Sequence, residues 1–293
     1  MVKILTHNGR FHTDEVFAIA MLKIFFNNEI EVTRTRDLSK INDVDFVLDI
    51  GREYNPSLKR FDHHQDTFFE KRDNKIPYAT AGLIWKHYGE QVTSSPEVVK
   101  RLDLLLIQAI DAEDNGVNSV DKNSIFTPYQ LHNVIQSFRK PYDIRNAQTD
   151  LQDFLIAVEF AENLLKREIL KIEANVKGES EVTEILNSSN EQQFIILEKQ
   201  LPWEEVIINY PDILFMIQFN DENDNWSIYS IRKDKNSFEP KKPFPKKWAG
   251  KEGELLAKIT GIKDAVFCHK GLFLTVAKTK QGAIDLTNLA IES

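Results

Sequence analysis

Apolar residues in the first 60 positions form short runs around one longer cluster. Three short apolar or alternating segments predict β-strands, at residues 2–5, 31–35 and 44–50. Residues 14–26 carry apolar side chains at most positions, which predicts a mostly buried helix, and Asp14 and Glu15 suit its first turn. Strand, helix, strand, strand in this order predicts a parallel α/β sheet.

The middle of the chain has helical patterns at residues 79–88, 95–112 and 150–176. The Ser95-Pro96 pair predicts the start of the second helix, and Gly116 follows its predicted end. Gly178 is expected to end the long third helix. The polar stretch 178–192 is therefore the candidate boundary between two domains.

Beyond this boundary the pattern changes to short strands and a terminal helix. The predicted strands are residues 194–197, 213–219, 226–231, 266–268 and 272–276, and the helix is 278–291. A length of 293 residues also favours two domains. We expect an α/β protein with a parallel-sheet catalytic domain (1–178, its connecting helix at 150–178) and a smaller α/β substrate-binding domain (179–293), the active site lying in the cleft between them.

Composition narrows the class of protein. The chain has 37 basic and 45 acidic residues and a formal net charge of −8, which argues against nonspecific coating of nucleic acid. Cys268 is the single cysteine, so neither an internal disulfide nor a cysteine-type zinc site can form. The N-terminus leads directly into a strand without a signal-peptide pattern, and no apolar run approaches the roughly 20 residues that span a bilayer. We expect a cytoplasmic protein with no membrane partner.

The candidate chemistry lies in polar loops that follow the predicted strands. An acid and two adjacent histidines, Asp62, His63 and His64, suit a divalent-metal site better than a protein core. Ligands collect beyond the carboxyl ends of parallel strands, where further candidates also fall. The full candidate set is His7, His12, Asp14, Asp49, His63, His64, Asp111 and Asp114. Imidazole and carboxylate without thiolate favour Mn, Co, Fe or Zn over an all-oxygen magnesium site.

Converging carboxylates repel one another unless cations neutralise them. Two metal ions roughly 3.5–4 Å apart would do so and would also promote displacement at phosphorus. Taken singly, Asp14 is explained by a helix N-terminus, and Asp111 and Asp114 by a solvated helix end. His87 and His132 are interpreted as structural or surface residues.

An ordered set of motifs along essentially the whole chain resembles a known family. The motifs are residues 6–15, 47–51, Arg60-Phe61-Asp62-His63-His64-Gln65, 81–84, 111–116, 243–248, 267–269 and 278–283. They resemble the DHH phosphoesterase superfamily, named for the tripeptide at 62–64, and more closely its melanocyte proliferating gene (MYG) branch. That branch is described as metal-dependent hydrolases and, for some members, RNA exonucleases.

The resemblance implies a metal centre and roles for its residues. The implied metal ligands are His7, His12, Asp14, Asp49, His63 and either Asp111 or Asp114, with Asp111 favoured. Asp49 would bridge two divalent ions, with manganese as the first candidate and magnesium, cobalt or zinc as alternatives. His64 would face the scissile phosphate, and Asp62 would orient a histidine. His12 stands one position from where the superfamily has an aspartate.

In the C-terminal domain the resemblance implies phosphate contacts from His269, Lys278 and Thr279. Relatives carry a Gly-Gly pair just before the Lys/Arg-Thr step, whereas this chain has Thr275-Val276-Ala277. Residues 232–258 contain nine basic and four acidic side chains with interleaved aromatics, which would suit single-stranded nucleic acid or a solvated loop.

The implied function is a two-metal phosphodiesterase or exonuclease acting on RNA or short oligonucleotides. Two alternatives stay open, namely a small-molecule phosphatase or pyrophosphatase-like hydrolase and a metal-containing binding protein without catalysis.

Overall fold

A computed structural model describes residues 1–117, 125–189 and 193–293. The chain divides into two compact units, Met1–Glu173 and Ala174–Ser293. Within the described ranges, no helix has both the length and the apolar character needed to cross a membrane.

The first unit is built on a five-stranded sheet. Its strands are β1 (Val2–Thr6), β2 (Ile30–Arg34), β3 (Phe46–Leu48), β4 (Tyr54–Asn55) and β5 (Arg60–Phe61). Their order in the sheet is β2-β1-β3-β5-β4. The β1–β2, β1–β3 and β3–β5 pairs are parallel, and β4 pairs with β5 in the antiparallel direction. The predicted parallel sheet is confirmed.

Helices of the first unit cover this sheet and carry its core. They are α1 (Thr13–Phe25), α2 (Thr80–Val92), α3 (Pro96–Leu102), α4 (Gln108–Asp114) and α5 (Leu131–Ser137), with a π-helical segment, Asp103–Ile107, joining α3 to α4. Helix α1 is buried from Thr13 to Leu22 and packs against α2. The apolar residues of α1 lie on nearly every side of the helix. The sequence therefore predicts that the helix is buried on all sides, as observed.

The long helix α6 (Ala147–Ser188) differs from its prediction at the C-terminal end. It runs through Gly178, where the sequence indicated a stop, and includes residues 178–188 of the predicted polar boundary. The Cδ atom of Pro202 lies 2.5 Å from where a Cβ at residue 178 would stand. Glycine is therefore needed here for close packing rather than for ending the helix. Residues 190–192 of the predicted boundary lie outside the described ranges.

The second unit has its own five-stranded sheet. Its elements are β6 (Phe194–Leu197), α7 (Glu204–Ile207), β7 (Phe215–Asn220), β8 (Asn225–Ser230), α8 (Gly253–Thr260), β9 (Ala265–Cys268), β10 (Leu274–Ala277) and α9 (Lys280–Glu292). The strand order is β6-β7-β8-β10-β9, with β6–β7 parallel and the other pairs antiparallel. Every strand predicted here is confirmed, as is the terminal helix.

Elements that the sequence did not predict are short or weakly apolar. Strands β4 and β5 have two residues each, too few for a periodic pattern. Helices α5, α7 and α8 are also additions to the prediction. The α/β class with two sheets is nevertheless as expected.

Candidate metal centre

Three neighbouring strands of the first sheet end beside one another and deliver the central side chains. His7 follows β1, Asp49 follows β3, and His63 comes two residues after β5. Because β1, β3 and β5 are adjacent and parallel, their carboxyl ends meet at one edge of the sheet. The sequence-based placement of these three residues at a common edge agrees with this geometry.

Asp49 lies at the middle of the group. Its Oδ2 is 3.1 Å from Nε2 of His7, and its Oδ1 is 3.4 Å from Nε2 of His63. The hydroxyl of Thr80 donates to Oδ1 at 3.1 Å. Asp49 has a backbone φ of +57°, in the left-handed region that a residue with a Cβ seldom adopts. Strain of this kind at a buried carboxylate is characteristic of functional sites.

The start of α1 supplies a histidine and a second carboxylate. His12 is the N-cap of α1, and its Nδ1 is 4.0 Å from Asp49 Oδ2. Asp14, fully buried in the first turn, has Oδ2 3.8 Å from Nε2 of His63. The amide of Thr80 donates to the same Oδ2 at 3.3 Å. The sequence assigned both residues to the centre without indicating that Thr80 holds two of its carboxylates.

The next carboxylate in the group is that of Asp114, the last residue of α4. Its Oδ2 is 3.1 Å from Nε2 of His63, and its Oδ1 is 3.9 Å from Nδ1 of His12. Asp111, favoured from the sequence, instead lies 2.7 Å from Nη1 of Arg72 and accepts a hydrogen bond from the amide of Gly82 at 2.8 Å. The structure therefore brings Asp114 to the other candidates and turns Asp111 toward α2.

Asp62 and His64 form a pair at the edge of the group. The Asp62 carboxylate is buried and accepts from the amides of Arg52 at 2.6 Å and His64 at 3.1 Å. Nδ1 of His64 lies 2.8 Å from Asp62 Oδ1, while half of the His64 side chain is exposed. Asp62 therefore contacts Nδ1 of a half-exposed His64.

Glu15 is a buried member of the group that the sequence assigned only to a helix terminus. Its carboxylate lies 2.8 Å from Nε2 of His7 and accepts from the hydroxyl of Thr6 at 3.0 Å and the amide of His12 at 3.2 Å. Nη2 of Arg34 lies 3.4 Å from Oε1 of Glu15. The spacing of His12 and Glu15, N-cap and third helical residue, was the available signal for the capping contacts.

Protonation of the two inner histidines would balance the carboxylates of the group. Burial lowers the pKa of His7, but the adjacent carboxylates of Asp49 and Glu15 outweigh burial and raise the pKa to about 10. Burial also opposes charging of His63, yet Asp114 and Asp49 raise its pKa to about 11. The cluster attracts positive charge strongly enough to overcome desolvation.

The two inner aspartates respond in opposite directions. Burial raises the pKa of Asp14 well above its ordinary value, and the charges of Asp49 and Asp114 raise it further. Burial would raise the pKa of Asp49 as well, but contacts with His63 and His7 hold it below its ordinary value. The pKa of each aspartate therefore depends on how closely it contacts the positively charged histidines.

The donor set fits divalent cations. Nitrogen and oxygen atoms approach within 4.8 Å of one another in three overlapping groups, His7-His12-Asp49, Asp49-His63-His64 and His12-Asp14-Asp114. Four buried atoms of the group, His7 Nε2, Asp14 Oδ1, Asp49 Oδ2 and His63 Nε2, form no hydrogen bond of regular geometry among the described residues, although three of them lie within ion-pair distance of an opposite charge. Buried polar atoms are normally satisfied, so unsatisfied atoms that converge indicate a place for a bound ion.

The C-terminal candidates lie in the second unit. The hydroxyl of Thr279 accepts from the amide of Gly282 as the N-cap of α9 and donates to Asp264. Lys278 is exposed just after β10, and Nδ1 of His269 accepts from the amide of Gly271 at 3.0 Å. Thr279 thus has a structural role, whereas Lys278 is accessible to a ligand.

The basic segment 232–258 is only partly a surface. Phe244 and Trp248 are buried in the core of the second unit. Nζ of Lys241 donates to the carbonyl of Tyr210 at 2.8 Å, and Nζ of Lys242 donates to the carbonyl of Ile291 at 2.6 Å. These two aromatic side chains and two lysines therefore contact other parts of the second unit. For these four residues the loop interpretation is favoured over nucleic-acid binding.

Comparison with known proteins gives matches over nearly the full chain. Residues 3–291 match the family model MYG1_exonuc, described as Uncharacterised protein family (UPF0160). The chain is 31% identical over 311 residues to the MYG1 protein of Dictyostelium discoideum, covering 96% of this chain and 94% of that protein. It is 25% identical over 323 residues to a protein of Homo sapiens named MYG1 exonuclease, covering 99% and 85%. It is 28% identical over 298 residues to the MYG1 protein of Chlamydia muridarum, covering 98% and 96%.

Proposed function

This chain belongs to the MYG1_exonuc family, and on that premise we propose that it is a metal-dependent phosphoester hydrolase that releases nucleotides from RNA or short oligonucleotides. The observation that supports this most is the convergence of unsatisfied buried atoms from His7, Asp14, Asp49 and His63 at one sheet edge. The names of mammalian relatives support an exonuclease, and the motif order supports a centre of the DHH type.

In this proposal two sets of side chains hold two divalent cations, manganese being the first candidate. His7, His12 and Asp49 form one set, and Asp14, Asp49, His63 and Asp114 form the other. Asp49 is common to both because its two oxygens face His7 and His63 separately. A bound pair of such ions supplies charge neutralisation at phosphorus and a nucleophilic water near neutral pH.

The remaining residues position the reacting groups. Asp62 fixes His64 through Nδ1, which leaves Nε2 of this half-exposed side chain to donate to an oxygen of the scissile phosphate. Thr80 holds the carboxylates of Asp49 and Asp14, and Glu15 holds His7 and the N-terminus of α1. Preorganised partners of this kind commonly change metal affinity or activity 10- to 100-fold when removed.

The proposal is tested by following mononucleotide release from a labelled oligonucleotide with manganese supplied. Wild-type protein is expected to release mononucleotides, and excess EDTA should abolish release. Asp49→Asn should reduce turnover to background while the circular dichroism spectrum stays unchanged, because the shared carboxylate is lost. Near-normal turnover by Asp49→Asn would reject the shared-ligand role.

The same assay separates the alternatives. Hydrolysis of pyrophosphate or a mononucleotide, with oligonucleotides left intact, would replace the nucleic-acid substrate by a small molecule. Metal bound at stoichiometric levels without hydrolysis of either substrate would indicate a binding protein.

A further inference from the structure

A cavity within the second unit has no role in the centre described above. Its volume is about 360 Å³, which lies in the range of small-molecule sites. It lies beside the ends of α7 and β8, and residues 229–232 form one side of it. All of its lining residues fall between Trp203 and Phe273, so the cavity belongs to the second unit alone.

Four of the twelve residues that line this cavity are aromatic. Trp203 and Tyr229 lie with ring centroids 5.7 Å apart and planes tilted by 43°. Phe238 is 84% exposed and Phe273 is 41% exposed, although both are large apolar side chains. Four aromatic side chains around one small cavity provide faces on which a planar ligand can stack.

The charges at the cavity are unevenly paired. Lys235 forms an ion pair with Glu205, so these two charges neutralise each other. The guanidinium of Arg232 lies 4.7 Å from the ring centroid of Phe238 and has no carboxylate partner among the described residues. A guanidinium on an aromatic face keeps its hydrogen-bond donors available, and its planar fork matches a phosphate group.

We propose that this cavity binds a nucleoside monophosphate, with the base among the aromatic rings and the phosphate on Arg232. The inference rests on the proposed function, because such a group is both the product of nucleotide release and the terminal unit of an oligonucleotide. A cavity of this volume suits one nucleotide rather than a peptide or a strand. Glu204, which has no ion-pair partner among the described residues, adds a carboxylate that can accept from an exocyclic amine, so AMP is a suitable probe.

The test measures AMP binding to the full chain in EDTA, by quenching of tryptophan fluorescence and by calorimetry. Wild-type protein is expected to bind AMP saturably. Arg232→Gln should weaken AMP binding at least 10-fold and leave adenosine binding unchanged, because only the phosphate contact is lost. Phe238→Ala should weaken both ligands. Phe69→Ala removes an equally exposed aromatic in the first unit, 77% exposed, and should change neither.

Two sources of the same chemical group are separated by competition. Displacement of AMP by a phosphorothioate dinucleotide at a similar concentration would identify a chain end as occupant, and failure to compete would identify the released mononucleotide. Equal AMP affinity in wild type, Arg232→Gln and Phe238→Ala, or no saturable binding by wild type at millimolar AMP, would overturn the proposal.

Failure of the proposed function would be distinguishable from failure of this inference. Asp49→Asn should bind AMP like wild type, because the mutation lies in the other unit and EDTA is present throughout. AMP binding that depends on Arg232 in a protein without hydrolase activity would support the cavity and reject the catalytic proposal.

Discussion

Asp111 and Asp114 show how one helix can present two acids with different tasks. They stand three positions apart on α4, yet Asp111 contacts Arg72 and Gly82 while Asp114 contacts His63. Burial raises the pKa of Asp111 to about 7, against the opposing effect of Arg72. A buried acid of this kind stabilises packing through its partners, whereas Asp114, nearer the surface, has oxygens directed at two histidines.

Replacing each acid separately should divide the two roles. Asp114→Asn is expected to lower manganese retention about 10-fold or more with little change in thermal stability. The reason is that Asp114 is proposed to bind the same cation as His63. Asp111→Asn is expected to retain manganese and to lower the free energy of unfolding by about 2 kcal/mol, because a buried amide can accept from Gly82 or from Arg72 but not from both. Metal analysis and urea unfolding measure the two effects. The reverse outcome would return Asp111 to the metal centre.

Thr80 offers a second prediction at the scale of one residue. Thr80→Val keeps the shape of a fully buried side chain and removes the hydroxyl that donates to Asp49. Manganese affinity is expected to fall about 10-fold, because the shared carboxylate loses its orienting bond. Thr287→Val is the matched control, since Thr287 is also fully buried and donates only to the helix carbonyl of Ala283. Equal losses in both variants would mean that the effect is not specific to the centre.

At the scale of elements, the edge formed by β1, β3 and β5 was predictable and the helix rotations were not. Apolar runs followed by polar residues placed His7 and Asp49 at strand ends, and parallel order then brought the ends together. The choice between Asp111 and Asp114 depends on how α4 is turned. The contact between Asp111 and Arg72 helps to set that rotation. Arg72 lies in a loop, where no hydrophobic periodicity predicts the contact.

Glycines illustrate the same limit. The sequence predicts a helix end at Gly178 because glycine commonly follows the last residue of a helix. In the structure Gly178 lies inside α6, and Pro202 packs against it. Gly82 belongs to the motif at residues 81–84. The need for glycine at this position is visible only in the structure. A Cβ there would stand 1.8 Å from Asp111 Oδ2. Tertiary contacts distant in sequence decided both positions.

Gly82→Ala should therefore disrupt the contact between α2 and α4. We expect a loss of at least about 2–3 kcal/mol in the free energy of unfolding, since both Asp111 and Arg72 would have to move. Gly253→Ala is the comparison, because its site is open but its φ is +53°, and about 1 kcal/mol is expected there. Urea unfolding of the two variants compares them directly. A smaller loss for Gly82→Ala than for Gly253→Ala would contradict the packing argument.

At the scale of the whole molecule, the proposed metal ligands come from residues 7 to 114 and all lie in the first unit. Ions that bind only the folded protein stabilise it in proportion to their affinity and concentration. The two-sheet α/β class was predictable from the sequence, and so was the meeting of His7, Asp49 and His63 at one sheet edge. The contacts of Glu15 and Thr80 and the cavity of the second unit required coordinates, because they join segments without a shared pattern.

The most direct test of the metal centre is the number of manganese ions that one chain retains after dialysis against a low-manganese buffer, measured together with mononucleotide release. Two ions per wild-type chain are predicted, with both retention and release reduced in His63→Ala, because His63 contacts Asp14, Asp49 and Asp114. Folded wild-type protein that retains no divalent metal, or that hydrolyses its substrate equally well in EDTA, would contradict the account.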